Sequence, residues 1–341
     1  MYAKKPTLVG LTQGRKQPST RFRWAQYISD FQKGGFFVNE LESYTGAYAP
    51  ASKLRRPAWL VASIFENAQR TLRANQHDIR FLQRNLTATL CTWEPLLKDP
   101  FVFDVDDAIF LGPRGSSANR IARNASLILC GNNYLANHFE KFCTVAVVPT
   151  AVDADRFVPS NVKNIGHRQI IGWSGSSSGL KYVYAIESAI KEILLRHPNS
   201  FLKIVSDRQP IFKSLPQERV IYERWTAERE VEVLQEFTLG IMPLEDDPWA
   251  RGKCSFKMLT YMAVGIPVVA SPVGMNRDLL IQTSCGYGAS SKDDWVSAIS
   301  TILANVGLAS GMGAAGRKLV EQSYSRAVIA PKLVELLLNL V

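Results

Sequence analysis

The stretch Leu259-Thr260-Tyr261-Met262-Ala263-Val264-Gly265-Ile266-Pro267-Val268-Val269-Ala270-Ser271 constrains the fold of this chain more than any other. An apolar helical pattern runs into a glycine, then a proline, then an unbroken apolar triplet. Glycine ends helices because it enters the left-handed region without a Cβ penalty, and proline cannot continue one. The chain therefore passes from a helix into a strand that is apolar on both faces. Such strands belong in parallel sheets covered by helices on either side.

The same reading repeats along the sequence. Apolar runs at Thr7–Thr12, Phe36–Val38, Arg80–Leu82, Phe101–Phe103, Leu127–Leu129 and Val145–Val148 are each separated by enough chain for a helix, and one helix is expected from about Thr20 to Lys33. The pattern restarts at Arg168–Trp173 and continues through Leu202–Val205, Val220–Tyr222, Leu239–Pro243 and Pro267–Ala270. Between these runs Leu180, Val183, Ile186, Ile190, Ile193 and Leu194 form one stripe of a helix expected from Leu180 to Arg196. Ser291-Lys292-Asp293-Asp294 reads as a capping box. The expected architecture is α/β, with two Rossmann-like, doubly wound parallel-sheet domains. They are placed at residues 1–160 and 161–325, joined near Pro149–Pro159, with a C-terminal helix over 326–341 packing back on the first domain.

At 341 residues with 46% hydrophobic content, the chain can bury two cores of ordinary size. The cysteines Cys91, Cys130, Cys143, Cys254 and Cys285 are odd in number and scattered, with no C-x-x-C pair, so a disulfide framework and a zinc site are not expected. That usage fits a reducing cytoplasm. The N-terminal run Thr7-Leu8-Val9-Gly10-Leu11 behind Lys4 and Lys5 is too short for a signal sequence, and no uncharged run is long enough to span a membrane. Of the net charge of +10, residues 1–70 carry a surplus of +7, from eleven Lys or Arg against four acids. No nucleic-acid-binding motif accompanies that charge, so specific nucleic-acid recognition is not expected. Trp24, Tyr27 and Trp59 lie among Arg21, Arg23, Arg55 and Arg56, a mixture suited to peripheral contact with an anionic membrane, on its inner face if the protein is cytoplasmic. The plainer alternative is a solvated basic face.

Three groups of residues are candidates for chemistry. In the first, Asp246-Asp247 precede a helix start at Gly252, where Lys253 and Lys257 fall four apart and share one face. Like charges at that spacing repel unless an anion lies between them, and a helix N-terminus with free N–H groups supplies an anion site; a phosphate is expected. Cys254 lies in this loop, and Ser255 adds a hydroxyl for the anion or caps the helix.

The second group is Gly172-Trp173-Ser174-Gly175-Ser176-Ser177-Ser178-Gly179, which follows a strand and opens a helix carrying Lys181. Backbone N–H groups of Ser174, Gly175 and Ser176 are placed to receive a diphosphate. The spacing is not G-x-G-x-x-G and no acid follows at the ribose-reading distance, which argues against a nicotinamide dehydrogenase.

The third group is Asp104, Asp106 and Asp107, at the end of a buried strand where open α/β sheets gather ligands. Their crowding is expected to raise at least one pKa. A divalent metal is the weaker reading, because no third partner is visible in sequence. His77, His138, His167 and His197 each read as lone surface or core residues.

The run Leu259–Ser271 and the linker Pro149-Thr150-Ala151-Val152-Asp153-Ala154-Asp155-Arg156-Phe157-Val158-Pro159 resemble the corresponding segments of family 4 glycosyltransferases, which are retaining enzymes of GT-B architecture. In the first half the likeness rests on Phe103–Phe110 and Pro18–Arg23. In that family two glutamates, E-x7-E, precede the strand; Gly252 and Thr260 stand at those positions here.

The resemblance implies two domains facing a central cleft and transfer of a sugar from a UDP- or GDP-type donor to a hydroxyl acceptor, which can be a glycan, a lipid-linked acceptor or a small molecule. Retention, and no metal or other cofactor, are implied with it, as is a place in polysaccharide biosynthesis. It implies that Lys181, Lys253 and Lys257 neutralise the diphosphate and that Thr260 replaces the ribose-binding glutamate. Gly14 would lie in the loop that closes over donor and acceptor, flanked by Arg21 and Arg23. Glu245, Asp246 or Asp247 would face the sugar, Asp207 and Trp225 the base, and Asp106 or Asp107 the acceptor hydroxyl. A GT-B-like epimerase is disfavoured by the lack of suitable glutamates and histidines. Loss of both glutamates keeps open a non-catalytic nucleotide- or nucleotide-sugar-binding subunit of the same fold.

Overall fold

The computed structural model describes residues 5–112, 115–160 and 168–341. Lys4, His167 and the expected start of a second domain at 161 lie outside the described residues. The chain divides into two compact units: Met1–Ala151 with Gly252–Cys254 and Arg326–Val341, and Val152–Arg251 with Ser255–Ser325.

In the first unit the order is β1 (Thr7–Thr12), α1 (Pro18–Arg23), α2 (Ile28–Lys33), β2 (Phe37–Glu42), α3 (Arg56–Ala74), β3 (Ile79–Gln83), β4 (Phe101–Val105), α4 (Ser116–Ala122), β5 (Leu127–Cys130), α5 (Asn133–Phe139) and β6 (Val145–Val147). The six strands pair in the order β2-β1-β3-β4-β5-β6, and every pairing is parallel. Strands β3, β4 and β5 are buried along their whole length, Arg80, Gln83 and Asp104 included, as the central strands of a sheet with two covered faces are.

The core gathers on Trp24, whose ring lies 5.4 Å from Phe31 and 5.0 Å from Phe81. Gly10 makes room for it, since a Cβ there would fall 2.3 Å from the indole. The helix expected from Thr20 to Lys33 breaks at Trp24, where φ is −131°, into α1, a short 3-10 turn and α2. Burying the indole under β1 takes precedence over helical continuity.

The second unit runs β7 (Gln169–Ser174), α6 (Leu180–Ala185), α7 (Glu187–Arg196), β8 (Ser200–Ser206), β9 (Val220–Arg224), α8 (Glu230–Gln235), β10 (Leu239–Met242), α9 (Pro248–Arg251), α10 (Phe256–Ala263), β11 (Val268–Ala270), α11 (Met275–Gln282), β12 (Gly286–Gly288), α12 (Lys292–Ala304) and α13 (Val306–Leu319). Its six strands are parallel in the order β12-β11-β10-β7-β8-β9. The expected stripe of Leu180, Val183, Ile190, Ile193 and Leu194 is buried in its core, although the helix breaks at Ile186 into α6 and α7. Ser291 and Asp294 form the expected capping box at the start of α12. Gly265, with φ +72°, turns the chain between α10 and β11.

A last helix, α14 (Arg326–Leu338), returns to the first unit and buries Ile329, Ala330, Leu333 and Leu337 in its core. Arg326 Nε donates to Asp30 Oδ2 of α2 at 2.8 Å.

Candidate functional site

Each sheet has a point where successive connections leave to opposite sides, between β1 and β3 in the first unit and between β7 and β10 in the second. Open α/β sheets place ligands outside the carboxyl ends of their strands at such points.

In the second unit the β7 end leads into Ser174–Gly179. The Ser174 N–H donates to the Tyr261 hydroxyl at 3.0 Å and the Gly175 N–H to the Val205 carbonyl at 2.9 Å. Lys257, from the first turn of α10, reaches this loop: its Nζ stands 5.6 Å from the centroid of the Trp173 ring, and a Cβ on Gly175 would fall 2.4 Å from its Cε. A glycine at 175 therefore lets the lysine stem lie across the loop and sets one cation at this strand end, whereas the Ser174 and Gly175 N–H groups expected to receive a diphosphate are both engaged within the protein. The Ser176 and Ser178 hydroxyls lie 2.9 Å apart.

Asp207, just past β8, accepts from the Ser177 N–H at 2.6 Å and from its hydroxyl at 2.9 Å. Burial pushes this carboxyl up, but the hydrogen bonds it accepts, chiefly the two from Ser177, outweigh that and bring it below its ordinary value. Asp207 thus organises the serine loop, and the N–H that an anion would need at Ser177 is already engaged. Trp225, half-buried, starts from the adjacent strand end, its N–H donating to the Ser206 carbonyl at 3.0 Å.

Several residues are placed otherwise than the sequence suggested. Lys253 and Lys257 do not share a helix face: α10 begins only at Phe256, after Ser255 takes φ +49°, and Lys253 lies in the tripeptide that belongs to the first unit. Ser255 neither caps α10 nor points a hydroxyl at a ligand; it is buried and bonds Asn276 Oδ1 at 2.6 Å. The Thr260 hydroxyl is buried and donates to the Lys257 carbonyl at 2.8 Å, so its proton is taken up within its own helix. Asp247 Oδ1 accepts from the Ala250 N–H at 2.6 Å and Asp246 pairs with Arg251 at 2.7 Å, while Glu245 is exposed. Lys181 is exposed, with its Nζ 4.6 Å from the Tyr182 ring centroid.

In the first unit the three aspartates beyond β4 meet two arginines. Arg23 lies buried against Asp104, with Nε 2.9 Å from both carboxylate oxygens and Nη2 2.5 Å from Oδ1. It therefore stands under the sheet end, not beside the Gly14 loop. Arg84, directly after β3, spans the other two: its Nε donates to Asp106 Oδ1 at 2.5 Å and its Nη2 to Asp107 Oδ2 at 2.6 Å. Its backbone takes φ +53°, a region that costs a non-glycine residue on the order of 1 kcal/mol, and the two carboxylates hold it there.

Ser19 at the start of α1 donates to the remaining Asp106 oxygen at 2.6 Å, and Lys253 Nζ approaches Asp107 Oδ1 at 3.9 Å. Burial pushes Asp106 up, but Arg84, Arg23 and Ser19 outweigh it and hold the group down at about 2. Burial also pushes Asp107 up; Arg84 only partly offsets this and the neighbouring Asp106 adds to it, so its pKa is raised. The aspartates thus have guanidinium groups as their partners. Among the described residues, no group of three His, Cys, Asp or Glu side chains is arranged to hold a metal ion.

Cys254 is buried, with its thiol donating to the Asp106 carbonyl at 3.1 Å. Gly14, at φ +84°, turns the β1–α1 loop, and a Cβ there would collide with Glu42. Trp24 and Tyr27, expected at a membrane surface, are fully buried, as is Arg23. Sequence reasoning did not single out Arg84, Ser19, Tyr261 or Asn276. Only Arg84 left a trace, as a lone cation at a strand end facing a strand that ends in aspartates.

Residues 168–305 match a family model described as Glycosyl transferases group 1. No curated protein matches the chain at the level of sequence. Among solved structures, the chain is similar to sucrose-phosphate synthase of Thermosynechococcus elongatus, with 14% identity over 98% of this chain and 99% of that one and a TM-score of 0.74. It is also similar to Anabaena HepE in complex with UDP and glucose, with 14% identity over 98% and 100% and a TM-score of 0.72. WaaG, a glycosyltransferase involved in lipopolysaccharide biosynthesis, matches with 13% identity over 96% and 99% and a TM-score of 0.67. The fold is GT-B, and residues 168–305 form an enzyme domain of glycosyltransferase type.

Proposed function

We propose that the protein transfers a sugar from a nucleoside diphosphate donor, of UDP or GDP type, to a hydroxyl acceptor, with retention and without a metal. The observation that carries this reading is Lys257 laid against the Gly175 loop at the carboxyl end of β7, inside the matched glycosyltransferase domain. A cation fixed in advance at a strand end stabilises charge that develops on a departing diphosphate, and stabilisation of this kind is usually the main source of an enzyme's rate acceleration. The second unit would hold the donor, in keeping with the UDP bound by HepE. The Arg84–Asp106–Asp107 cluster of the first unit would hold the acceptor hydroxyl, with Asp107 the better acceptor of its proton because Asp106 is engaged on both oxygens. The acceptor proposed is a glycan or lipid-linked sugar, and the setting the cytoplasm.

Calorimetric titration with UDP, GDP and ADP tests the donor site. One diphosphate is expected to bind, and Lys257→Ala to weaken it more than tenfold, since a charge-assisted hydrogen bond is worth about 1.5–3 kcal/mol. Unchanged affinity in the variant would remove the site from this loop. A second reading, a nucleotide-sugar-binding protein without transfer, is favoured by the Thr260 hydroxyl being engaged and by Gly252 having no side chain. Tight donor binding with neither donor hydrolysis nor transfer to any acceptor would support it.

A further inference from the structure

Helix α3 is turned inside out. Its inward face carries Ser63, Glu66, Asn67, Arg70 and Thr71, all buried. Glu66 accepts from the Tyr44 and Thr45 N–H groups at 2.7 and 3.0 Å, Asn67 donates to the Thr87 hydroxyl at 3.1 Å, and Arg70 donates to the Thr12 and Leu41 carbonyls at 2.7 and 2.8 Å. The polar side thus belongs inside, and the apolar side of α3 is not a displaced core.

That apolar side faces outward. Val61 is 55% exposed, Phe65 72% and Leu72 69%, and Leu54, one heptad before Val61, is 94% exposed. At 100° per residue Val61, Phe65 and Leu72 fall within a narrow stripe of α3, and Leu54 lies in the 3-10 turn that leads into the helix. A surface helix ordinarily buries such a stripe. Lys53 and Arg55 in that turn, Arg56 at the start of α3 and Arg73 in its last turn are exposed, whereas the lone acid between residues 53 and 74, Glu66, points in. Beside it Tyr44 and Tyr48 are 78% and 62% exposed.

We propose that this face of α3 docks the protein on an anionic lipid bilayer. An apolar row fits the acyl boundary, cations at both ends fit anionic headgroups, and tyrosines with an apolar ring and a polar tip fit the layer between. A second copy of the same face would supply no acid to those cations. Among the described residues no single helix is long and apolar enough to cross a membrane, so α3 lies along the surface. The proposal concerns where the protein works and stands independently of the transfer reaction.

The test is co-sedimentation of the full chain with phosphatidylcholine vesicles and with vesicles containing phosphatidylglycerol, at low and high salt. Binding is expected to the anionic vesicles and to weaken with salt. Because the altered side chains face solvent, Phe65→Ser with Leu72→Ser and Arg55→Glu with Arg56→Glu should leave the melting curve in place. Each pair should lower partitioning, the arginine pair by about 30-fold or more, since each basic residue near such a surface contributes about 1 kcal/mol. Absence of binding by the native protein, equal binding to both vesicle types, or full binding by both variants would overturn the proposal. A dimer in sedimentation that Phe65→Ser dissolves, without vesicle binding, would assign the face to a second copy instead.

Discussion

Asp106 and Asp107 are adjacent in sequence but chemically distinct. Asp106 has each oxygen bound, one to Arg84 and one to Ser19, and is held ionised. Asp107 shares only one oxygen with Arg84, keeps the other toward Lys253 at 3.9 Å, and has a raised pKa because it is buried beside a second carboxylate. One carboxylate therefore serves as a brace and the other is available to a hydroxyl. Asp107→Asn is expected to lower turnover at least tenfold with donor affinity unchanged, because the donor is assigned to the other unit and a hydrogen bond that forms only in the transition state affects turnover and not donor binding. Asp106→Asn should instead cost stability, on the order of 1–3 kcal/mol, by leaving Arg84 without one of its two charged partners. Steady-state kinetics and urea melts on the two variants separate these outcomes; a fall in donor affinity with Asp107→Asn would remove the assignment.

At the scale of elements, the decisive feature of the second unit is a glycine loop whose shape is set by what lies across it. A methyl at Gly175 would meet the Lys257 stem at 2.4 Å and the Trp173 ring at 2.9 Å. The lysine end can swing away at little cost while the buried indole can shift only slightly. Gly175→Ala should therefore displace the cation, weakening nucleotide binding about tenfold or more, with a change in melting temperature of only a few degrees. Titration calorimetry beside a thermal melt reads both; a large loss of stability with intact affinity would mean the indole, not the lysine, gives way.

Much of this element pattern was legible, because parallel strands buried on both faces appear as apolar runs and Gly265 with Pro267 punctuates a helix-to-strand turn. What was not legible had tertiary causes. Trp24 breaks a helix to fill space under Gly10, and Ser255 takes a left-handed backbone that ends the helical register joining Lys253 to Lys257. Gly286-Tyr287-Gly288 becomes β12 through pairing with β11, without an apolar run of its own. Arg84 escaped notice because the partners that define it lie more than twenty residues away in sequence.

At the scale of the whole molecule, the first unit is closed by the last helix of the chain. Leu333 and Leu337 of α14 are fully buried in the same core as Trp24, Phe31 and Phe81, and Arg326 pairs with Asp30 beside them. The loop proposed to hold the nucleotide belongs to the other unit, which has a core of its own. Leu333→Ala removes a buried side chain without touching any residue of the second unit's loop. A change of that kind costs about 2–5 kcal/mol, against roughly 5–15 kcal/mol for a whole domain. The expected result is a first unit that unfolds at clearly lower denaturant, while the nucleotide dissociation constant stays within about twofold of its original value. Saturating nucleotide, which stabilises only the form that binds it by about 2.7 kcal/mol at a hundredfold excess over Kd, should then raise the later of two unfolding transitions and leave the earlier one in place. A single transition that moves as one with both the substitution and the nucleotide would show instead that the two cores unfold together, and that the return of α14 stabilises the entire chain.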